Sequence, residues 1–246
     1  MASGAGESAL AASYDARTAT YRTFGNGSLL DVVRSVLPPD GSVLDIGCAS
    51  GGLLAALAGD AGRRVGIEIS QSAAEAAREV ADEVIVGDIA DPALMAGRDR
   101  FDVVVLADVV EHTPLPGDAL RHALRWGRPG GAVVVSVPNI GHWSARASLA
   151  RGKWEYAESG IFDRGHLRFF TEQTLLEELA MVGLELESVS PVVPRLRNHV
   201  KSLTRWPKPL GARAERGWQW FGRRRPGLMA FQLIAVARIP ATIGQD

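Results

Sequence analysis

The stretch Val43-Leu44-Asp45-Ile46-Gly47-Cys48-Ala49-Ser50-Gly51-Gly52 decides the fold. Its first part, Val43 to Ile46, is a short apolar run of strand length that carries one acid. Its second part is a glycine-rich turn, and apolar positions from Leu53 onward open a helix. A strand that feeds a helix through such a turn lets a ligand lie against bare backbone and the N–H groups of the helix start. A dinucleotide site needs G-x-G-x-x-G after the strand. This turn offers G-x-x-x-G-G, and Asp45 precedes it, where a carboxylate repels a pyrophosphate. An ordinary glycine-rich strand–helix turn is the other reading of the stretch.

The segments on either side decide between these readings. Upstream, residues 29–37 carry apolar side chains at helical spacing, and Pro38-Pro39 ends the run. Downstream, the pattern predicts a helix over 53–61 and a buried strand over 64–69 that carries Glu68 at its end. Glu68 lies about twenty residues beyond the turn, the spacing at which a carboxylate meets ribose hydroxyls. Ser70 is an N-cap for a helix over 73–80. A third strand over 83–86 closes on Gly87-Asp88-Ile89, and a fourth over 101–106 runs into Ala107-Asp108-Val109-Val110-Glu111-His112. A helix over 117–126, a turn at Arg128-Pro129-Gly130-Gly131 and a strand over 132–137 follow. Strands alternating with helices imply a parallel, doubly wound sheet, in which ligands sit beyond the carboxyl ends of the strands. Asp45, Glu68, Asp88 and Asp108 fall at four successive strand ends.

Together these residues resemble the class I S-adenosylmethionine (SAM) methyltransferases. The opening stretch is similar to their motif I, with Ala49 where the middle glycine usually stands. The resemblance implies an α/β fold with a seven-stranded, mostly parallel, Rossmann-like sheet, the last strand antiparallel beside strand six. It implies SAM as cofactor, bound by Asp45, Gly47, Cys48 and Gly51 at the turn and by Glu68 and Ile69 at the second strand end. The cationic methionyl end of SAM tolerates Asp45. Asp88 would face the adenine amino group, Ile89 would pack on the ring, and Ala107 and Asp108 would stand at the cleft mouth. The 107–112 run resembles motif IV, and Glu111-His112 there reads equally as a structural pair bonding a neighbouring loop.

Two insertions depart from a minimal fold within a domain over residues 29–239: one over 138–170 and one over 195–227. The first holds Val137-Pro138-Asn139-Ile140-Gly141-His142-Trp143, a short helix over 144–151, Trp154, Tyr156, and Asp163-Arg164-Gly165-His166-Leu167-Arg168-Phe169-Phe170-Thr171. The last piece resembles a D-x-x-H-L-R-F-F-T stretch of methyltransferases that modify sugars and other small metabolites. The first is also similar to a companion protein of methionine biosynthesis. Aromatic walls with titratable groups have the composition of a substrate pocket. His166, Asp163 and His142 are the candidates for acid–base work, since a histidine takes a hydroxyl proton near neutral pH and a carboxylate orients it. A purely structural role for them is the alternative. Arg168 is expected to pair an anionic substrate group or Asp163. Thr171 caps a helix to residue 182, and strands over 184–189 and 231–239 complete the sheet.

Residues 195–225 concentrate Arg and Lys against a single acid, Glu215, with Trp206, Trp218, Trp220 and Phe221 interleaved. Such a stretch can sit on an anionic membrane surface, bind a phosphorylated ligand, or fold as a solvated insertion over the pocket. The remaining chain constrains partners. The net charge of −1 predicts neither nucleic acid nor membrane as a general partner. Motif IV also lacks the [DN]-P-P-[YF] signature used on flipped bases. No metal cluster is evident. The lone Cys48 excludes an internal disulfide, no run of eighteen apolar residues occurs, and the first residues do not form a signal peptide, which points to the cytoplasm with peripheral membrane contact as an option. Residues 1–28 are expected to be partly disordered or to form a lid through the Tyr14 to Phe24 segment, and residues 240–246 a tail.

The expected activity is SAM-dependent methylation, at oxygen, of a sugar-containing or other small-metabolite acceptor that could be anionic or lipid-linked. A SAM-binding companion or vestigial domain that regulates a partner enzyme is the alternative.

Overall fold

The central strands carry apolar residues on both faces, as at Val43 and Leu44 or Val103 and Val104, so they must be covered from both sides. The computed structural model, which describes residues 27–91, 94, 100–196 and 208–241, shows how. Seven strands form one sheet: β1 (Ser42–Ile46), β2 (Arg63–Glu68), β3 (Glu83–Val86), β4 (Phe101–Ala107), β5 (Gly127–Pro138), β6 (Glu185–Val192) and β7 (Gln232–Arg238). Their order is β3-β2-β1-β4-β5-β7-β6. The pairs from β3 to β5 are parallel, and β7 runs antiparallel to both β5 and β6. This is the seven-stranded mixed sheet expected from the sequence.

The period of two sorts the core. Val43, Val103, Val105 and Val134 pack with Val33 of α1 (Gly27–Val36) on one face. Leu44, Ile46, Val104, Leu106 and Val135 pack on the other, with Leu120 of α4 (Pro116–Leu124) and Leu175 and Leu179 of α6 (Glu172–Met181). Each such fully buried side chain contributes about 1.5–3 kcal/mol. The remaining helices are α2 (Gly52–Ala56), α3 (Gln71–Ala77), α5 (Trp143–Ala150), α7 (Lys208–Arg224) and α8 (Pro226–Met229). Ser70 accepts the Ala73 N–H at 3.2 Å and so caps α3. Thr171 and Thr174 form a reciprocal capping box on α6.

Two boundaries differ most from the sequence expectation. The helix expected over 53–61 stops at Ala56, and the chain turns through Gly59 at φ 87° into a short bridge between Ala58 and Ala61. The turn expected at Arg128 to Gly131 lies inside a longer β5. Its backbone is held there because the Gly130 N–H donates to Ile239 O at 2.9 Å and the Ile239 N–H donates to Gly131 O at 3.0 Å. The segment Tyr14 to Phe24, the cations Arg197, Lys201 and Arg205, Trp206, and residues 242–246 lie outside the described residues.

One glycine of β2 bears on the turn after β1. A methyl at Gly66 would lie 2.5 Å from Cys48 Sγ and 3.2 Å from Cys48 Cβ, so β2 and the turn touch through it. Gly66→Ala is expected to lower stability by about 1–3 kcal/mol, the usual penalty of overpacking. Gly52→Ala, where a methyl meets nothing within 4 Å in α2, is expected to be neutral or to stabilise by about 0.4–1 kcal/mol. Urea midpoints at unchanged slope read both effects, and a neutral Gly66→Ala would show that the turn yields freely.

Candidate functional site

The carboxyl ends of four adjacent strands, β3, β2, β1 and β4, carry Asp88, Glu68, Asp45 and Asp108 at or just past their last residues. After β1 the backbone turns through Gly47 at φ 71°, Ala49 at φ 47° and Gly51 at φ 78°. Ala49 is therefore unusual in its backbone as well as in its added methyl, because a left-handed conformation costs a non-glycine residue about 1–2 kcal/mol. Gly47 and Gly51 are also required by packing. A methyl on Gly47 would lie 2.7 Å from Val109 Cγ2, and one on Gly51 would lie 2.6 Å from Val80 Cγ2. The Gly47 and Cys48 N–H groups donate to Ile67 O at 2.8 and 3.1 Å, which ties the turn to the end of β2.

Glu68 is buried and holds two turns at once. Its Oε2 accepts the Ala49 N–H and its Oε1 accepts the Ser70 N–H, both at 2.8 Å. Asp45 is 3% exposed, and its Oδ1 has no hydrogen-bond partner among the described residues. Burial, then the nearby charge of Glu68, pushes its carboxyl up to about 7. Burial, then Asp45 and Glu68, holds the Cys48 thiol far above its ordinary range. Asp88 Oδ1 accepts the Ala90 N–H at 2.9 Å, and Ile89 and Ala107 are half-buried against the core. Ile69, just past β2, is half-buried.

Asp108 leaves β4 at φ 55°. Its Oδ1 accepts Gln232 Nε2–H at 2.6 Å and the Ser136 hydroxyl at 3.4 Å, while burial raises it to about 6. Sequence reasoning missed Gln232 and Ser136. The available signal was a polar residue, Ser136 or Gln232, bordering an apolar run in each of two strands.

Beside Asp108, the 3₁₀ turn Val110–His112 buries Glu111 to 1% exposure, and neither carboxylate oxygen has a hydrogen-bond partner among the described residues. Burial, then Asp108, raises it well above the usual carboxylate range, and Asp163 adds to this. The first insertion is strapped to this turn, because the Leu167 and Arg168 N–H groups donate to Glu111 O at 2.8 and 3.0 Å. His112 Nδ1 lies 3.0 Å from Gly165 O, and His166 Nδ1 lies 3.2 Å from Ile161 O. Asp163 Oδ1 accepts the Gly165 N–H at 2.6 Å. The two imidazoles meet edge to face at 4.9 Å. One ligand-capable atom each from Glu111, His112 and His166 lies within 4.8 Å of the others, a group the sequence did not reveal.

His142 stands elsewhere in the fold, as the cap of α5. Its Nδ1 accepts the Ser144 N–H at 3.3 Å and lies 2.7 Å from Ser144 Oγ, and its ring packs on Trp143 and Phe231. Arg168 does not pair Asp163 here: its Nε and Nη2 both donate to Pro114 O, at 3.0 and 2.5 Å. Trp154 stacks edge-on against Phe162 and Phe169 at 4.8 and 4.9 Å, and Phe169 reaches the His166 ring at 6.1 Å.

The described part of the basic-aromatic insertion is α7 and the chain leading to α8. Trp218 Nε1–H donates to Pro194 O at 2.8 Å, and Glu215 accepts the Leu196 N–H at 3.1 Å, so this face docks on the chain after β6. Trp220 and Phe221 are exposed, and Arg224 lies over the Trp220 ring at 4.8 Å. No helix among the described residues is long and apolar enough to cross a membrane.

A doubly wound sheet with an antiparallel seventh strand, a glycine turn after β1 and acids at adjacent strand ends defines the class I methyltransferase fold. The chain belongs to the methyltransferase-domain family, which it matches over residues 21–189, and SAM is the cofactor of these proteins. A ubiquinone biosynthesis O-methyltransferase of Thiobacillus denitrificans is 35% identical over 165 residues, covering 60% of this chain and 66% of that protein. The corresponding protein of Alkalilimnicola ehrlichii is 33% identical over 106 residues, covering 39% of this chain and 41% of its own length. The chain thus spans about two fifths to two thirds of the length of these relatives. Among solved structures, magnesium protoporphyrin IX methyltransferase from Synechocystis PCC 6803 with bound SAH superposes with a TM-score of 0.56 at 15% identity, covering 87% of this chain and 83% of that one.

Asp45 makes the protein's stability depend on pH in a definite direction. Its folded pKa of about 7 exceeds the ordinary 3.8, so between these values the folded chain keeps a proton that the unfolded chain has released. Stability from this group therefore falls as pH rises from about 4 to about 7. Asp45→Asn is expected to flatten the decline of Tm across that window. A slope unchanged by the substitution would show that Asp45 is not held neutral beside Glu68 and Cys48.

Proposed function

We propose that the chain O-methylates a hydroxyl of a small-molecule acceptor, sugar-containing or another small metabolite, with SAM as donor. The observation that carries this reading is the row of acids on four neighbouring strand ends, each suited to a different part of SAM. The orphaned Oδ1 of Asp45 suits the methionyl ammonium. Glu68, fixed by two backbone N–H groups at the end of β2, would take the ribose hydroxyls. Asp88 and Ile89 would take the adenine edge and face, and Ala107 and Asp108 would border the methyl-bearing end. Gly47, Cys48 and Gly51 would let the backbone approach the cofactor.

Bound in this cleft, SAM supplies an activated methyl group whose carbon–sulfur bond breaks as the acceptor oxygen bonds to carbon. The chain supplies alignment and a water-poor pocket. The aromatic wall of Trp154, Phe162 and Phe169 offers the acceptor an apolar face beside His166. With its Nδ1–H directed to Ile161 O, His166 carries its lone pair on Nε2, and that lone pair activates the acceptor hydroxyl. Asp163 acts by fixing the loop through the Gly165 N–H. His142 acts by capping α5. The names of the related O-methyltransferases support oxygen as the methylated atom. The exposed Trp220 and the arginines around it support an anionic or lipid-linked acceptor approaching along α7.

Glu68→Ala is expected to weaken SAM binding roughly 10- to 100-fold, since each hydrogen bond to a charged group contributes about 1.5–3 kcal/mol. Calorimetry showing wild-type affinity would remove the ribose assignment. His166→Ala should keep SAM affinity and reduce turnover by about 10²–10⁴-fold. S-adenosylhomocysteine formation with panels of sugar and aromatic hydroxyl acceptors measures it. SAM binding without turnover on any of them would favour a regulatory companion instead. Replacing Arg223, Arg224 and Arg225 together should raise the acceptor KM, less so at high salt, and leave SAM affinity unchanged. Indifference of both acceptor kinetics and liposome co-sedimentation would reduce α7 to a surface element.

A further inference from the structure

Glu111 poses a problem that the methyl-transfer reading leaves unsolved. Its carboxyl is 1% exposed, and the side chain it meets is another buried acid, Asp108. Asp108 stands close beside it and Asp163 is near enough to raise its pKa further, so the pocket collects acids. The nearby guanidinium of Arg168 is turned away to Pro114 O. Buried charge is tolerated when it is paired or coordinates a metal.

The two histidines beside it are arranged as ligands. Each directs Nδ1 to a backbone carbonyl, His112 to Gly165 O at 3.0 Å and His166 to Ile161 O at 3.2 Å. A carbonyl accepts only, so each Nδ1 carries a proton, and in the neutral ring Nε2 is the atom that can ligate. Metal-binding histidines show this arrangement, in which the second nitrogen donates to an oxygen that fixes tautomer and ring orientation. The strap that joins Leu167 and Arg168 to Glu111 O brings His166 against a turn far from it in sequence.

We propose that Glu111, His112 and His166 bind one first-row divalent transition cation, with Asp108 next to it on the cofactor side. Their ligand atoms lie within 4.8 Å of one another. An ion about 2.0–2.2 Å from each sets such atoms roughly 3–4 Å apart, so a small inward movement of the side chains closes the site. Two imidazole nitrogens with one carboxylate suit the manganese-to-zinc series better than magnesium or calcium, which prefer oxygen throughout. Three protein ligands leave positions open for an acceptor oxygen. This rests on the reading of the cleft as an acceptor site and refines the part of His166: its lone pair acts on the hydroxyl through the ion. The ion lowers the pKa of the bound hydroxyl, whose proton passes to solvent, and no electron changes hands.

The test uses the full chain, freed of metal by chelation and dialysed, then titrated with Mn²⁺ by calorimetry and by loss of the free Mn²⁺ paramagnetic signal. One equivalent is expected to bind with micromolar or tighter affinity. Glu111→Gln and His112→Gln should each weaken it at least tenfold, with circular dichroism and SAM affinity unchanged. Absence of stoichiometric binding by the wild-type protein overturns the proposal, as does wild-type affinity in both variants. If Glu111→Gln fails to fold, His112→Gln, at a half-buried position, decides alone. SAM affinity measured on the chelated protein tests the methyltransferase reading separately, and its failure leaves the cation result standing.

Discussion

The carboxylate of Glu68 holds two pieces of backbone in place at the end of β2. One oxygen holds the turn after β1 through Ala49, and the other holds the start of α3 through Ser70. A charged acceptor of backbone N–H groups makes strong hydrogen bonds, and here it also offsets the strained conformation of Ala49. The β1 turn in turn sets where Cys48 sits against Gly66 and where Val109 closes on Gly47. The entrance to the cleft is therefore built outward from one side chain at the end of β2. The apolar sheet behind it supplies rigidity, and Glu68 converts that rigidity into a defined shape at the strand ends.

The same strand ends gather negative charge that the fold does not neutralise. Asp45, Asp108 and Glu111 all hold their protons more tightly than free carboxyls, and desolvation is the first cause for each. Such groups lower the stability of the empty protein at neutral pH and make it receptive to positive charge. The cleft is thus tense without its ligands, and binding relieves part of that tension. Stability and function trade against each other here at the level of individual carboxyl groups.

Much of this was legible in the sequence because it depends on period and punctuation. The alternation of Val43 and Leu44, or of Val103 and Val104, prescribes a sheet covered on both faces, and the glycines after β1 mark where ligands approach. The strand-end acids followed from the same pattern. The surroundings of Glu111 were less legible because they are assembled by the strap over residues 157–171, whose backbone bonds to Glu111 O carry no sequence signature. Glu111 and His112 were visible as a pair, and only the fold shows that His166 joins them. His142 looked chemically similar to His166 in the sequence, yet its Nδ1 faces Ser144 at a helix start. Gln232 was hidden because its partner Asp108 lies at a sequence separation of 124 residues.

The place of β7 governs the order in which the sheet can be completed. Within the sheet β6 pairs with β7 alone, and β7 lies between it and β5. During synthesis, β1 to β5 can align as they emerge, while β6 must wait, with its edge unpaired, until residue 238 has left the ribosome. Long-range pairing of this kind is slow and leaves an adhesive strand edge exposed in the meantime. Lys208–Arg224, between the two strands, carries basic side chains through that interval. Like charges disfavour edge-to-edge pairing, so a basic stretch beside an unpaired strand suits a chain that waits for its last strand.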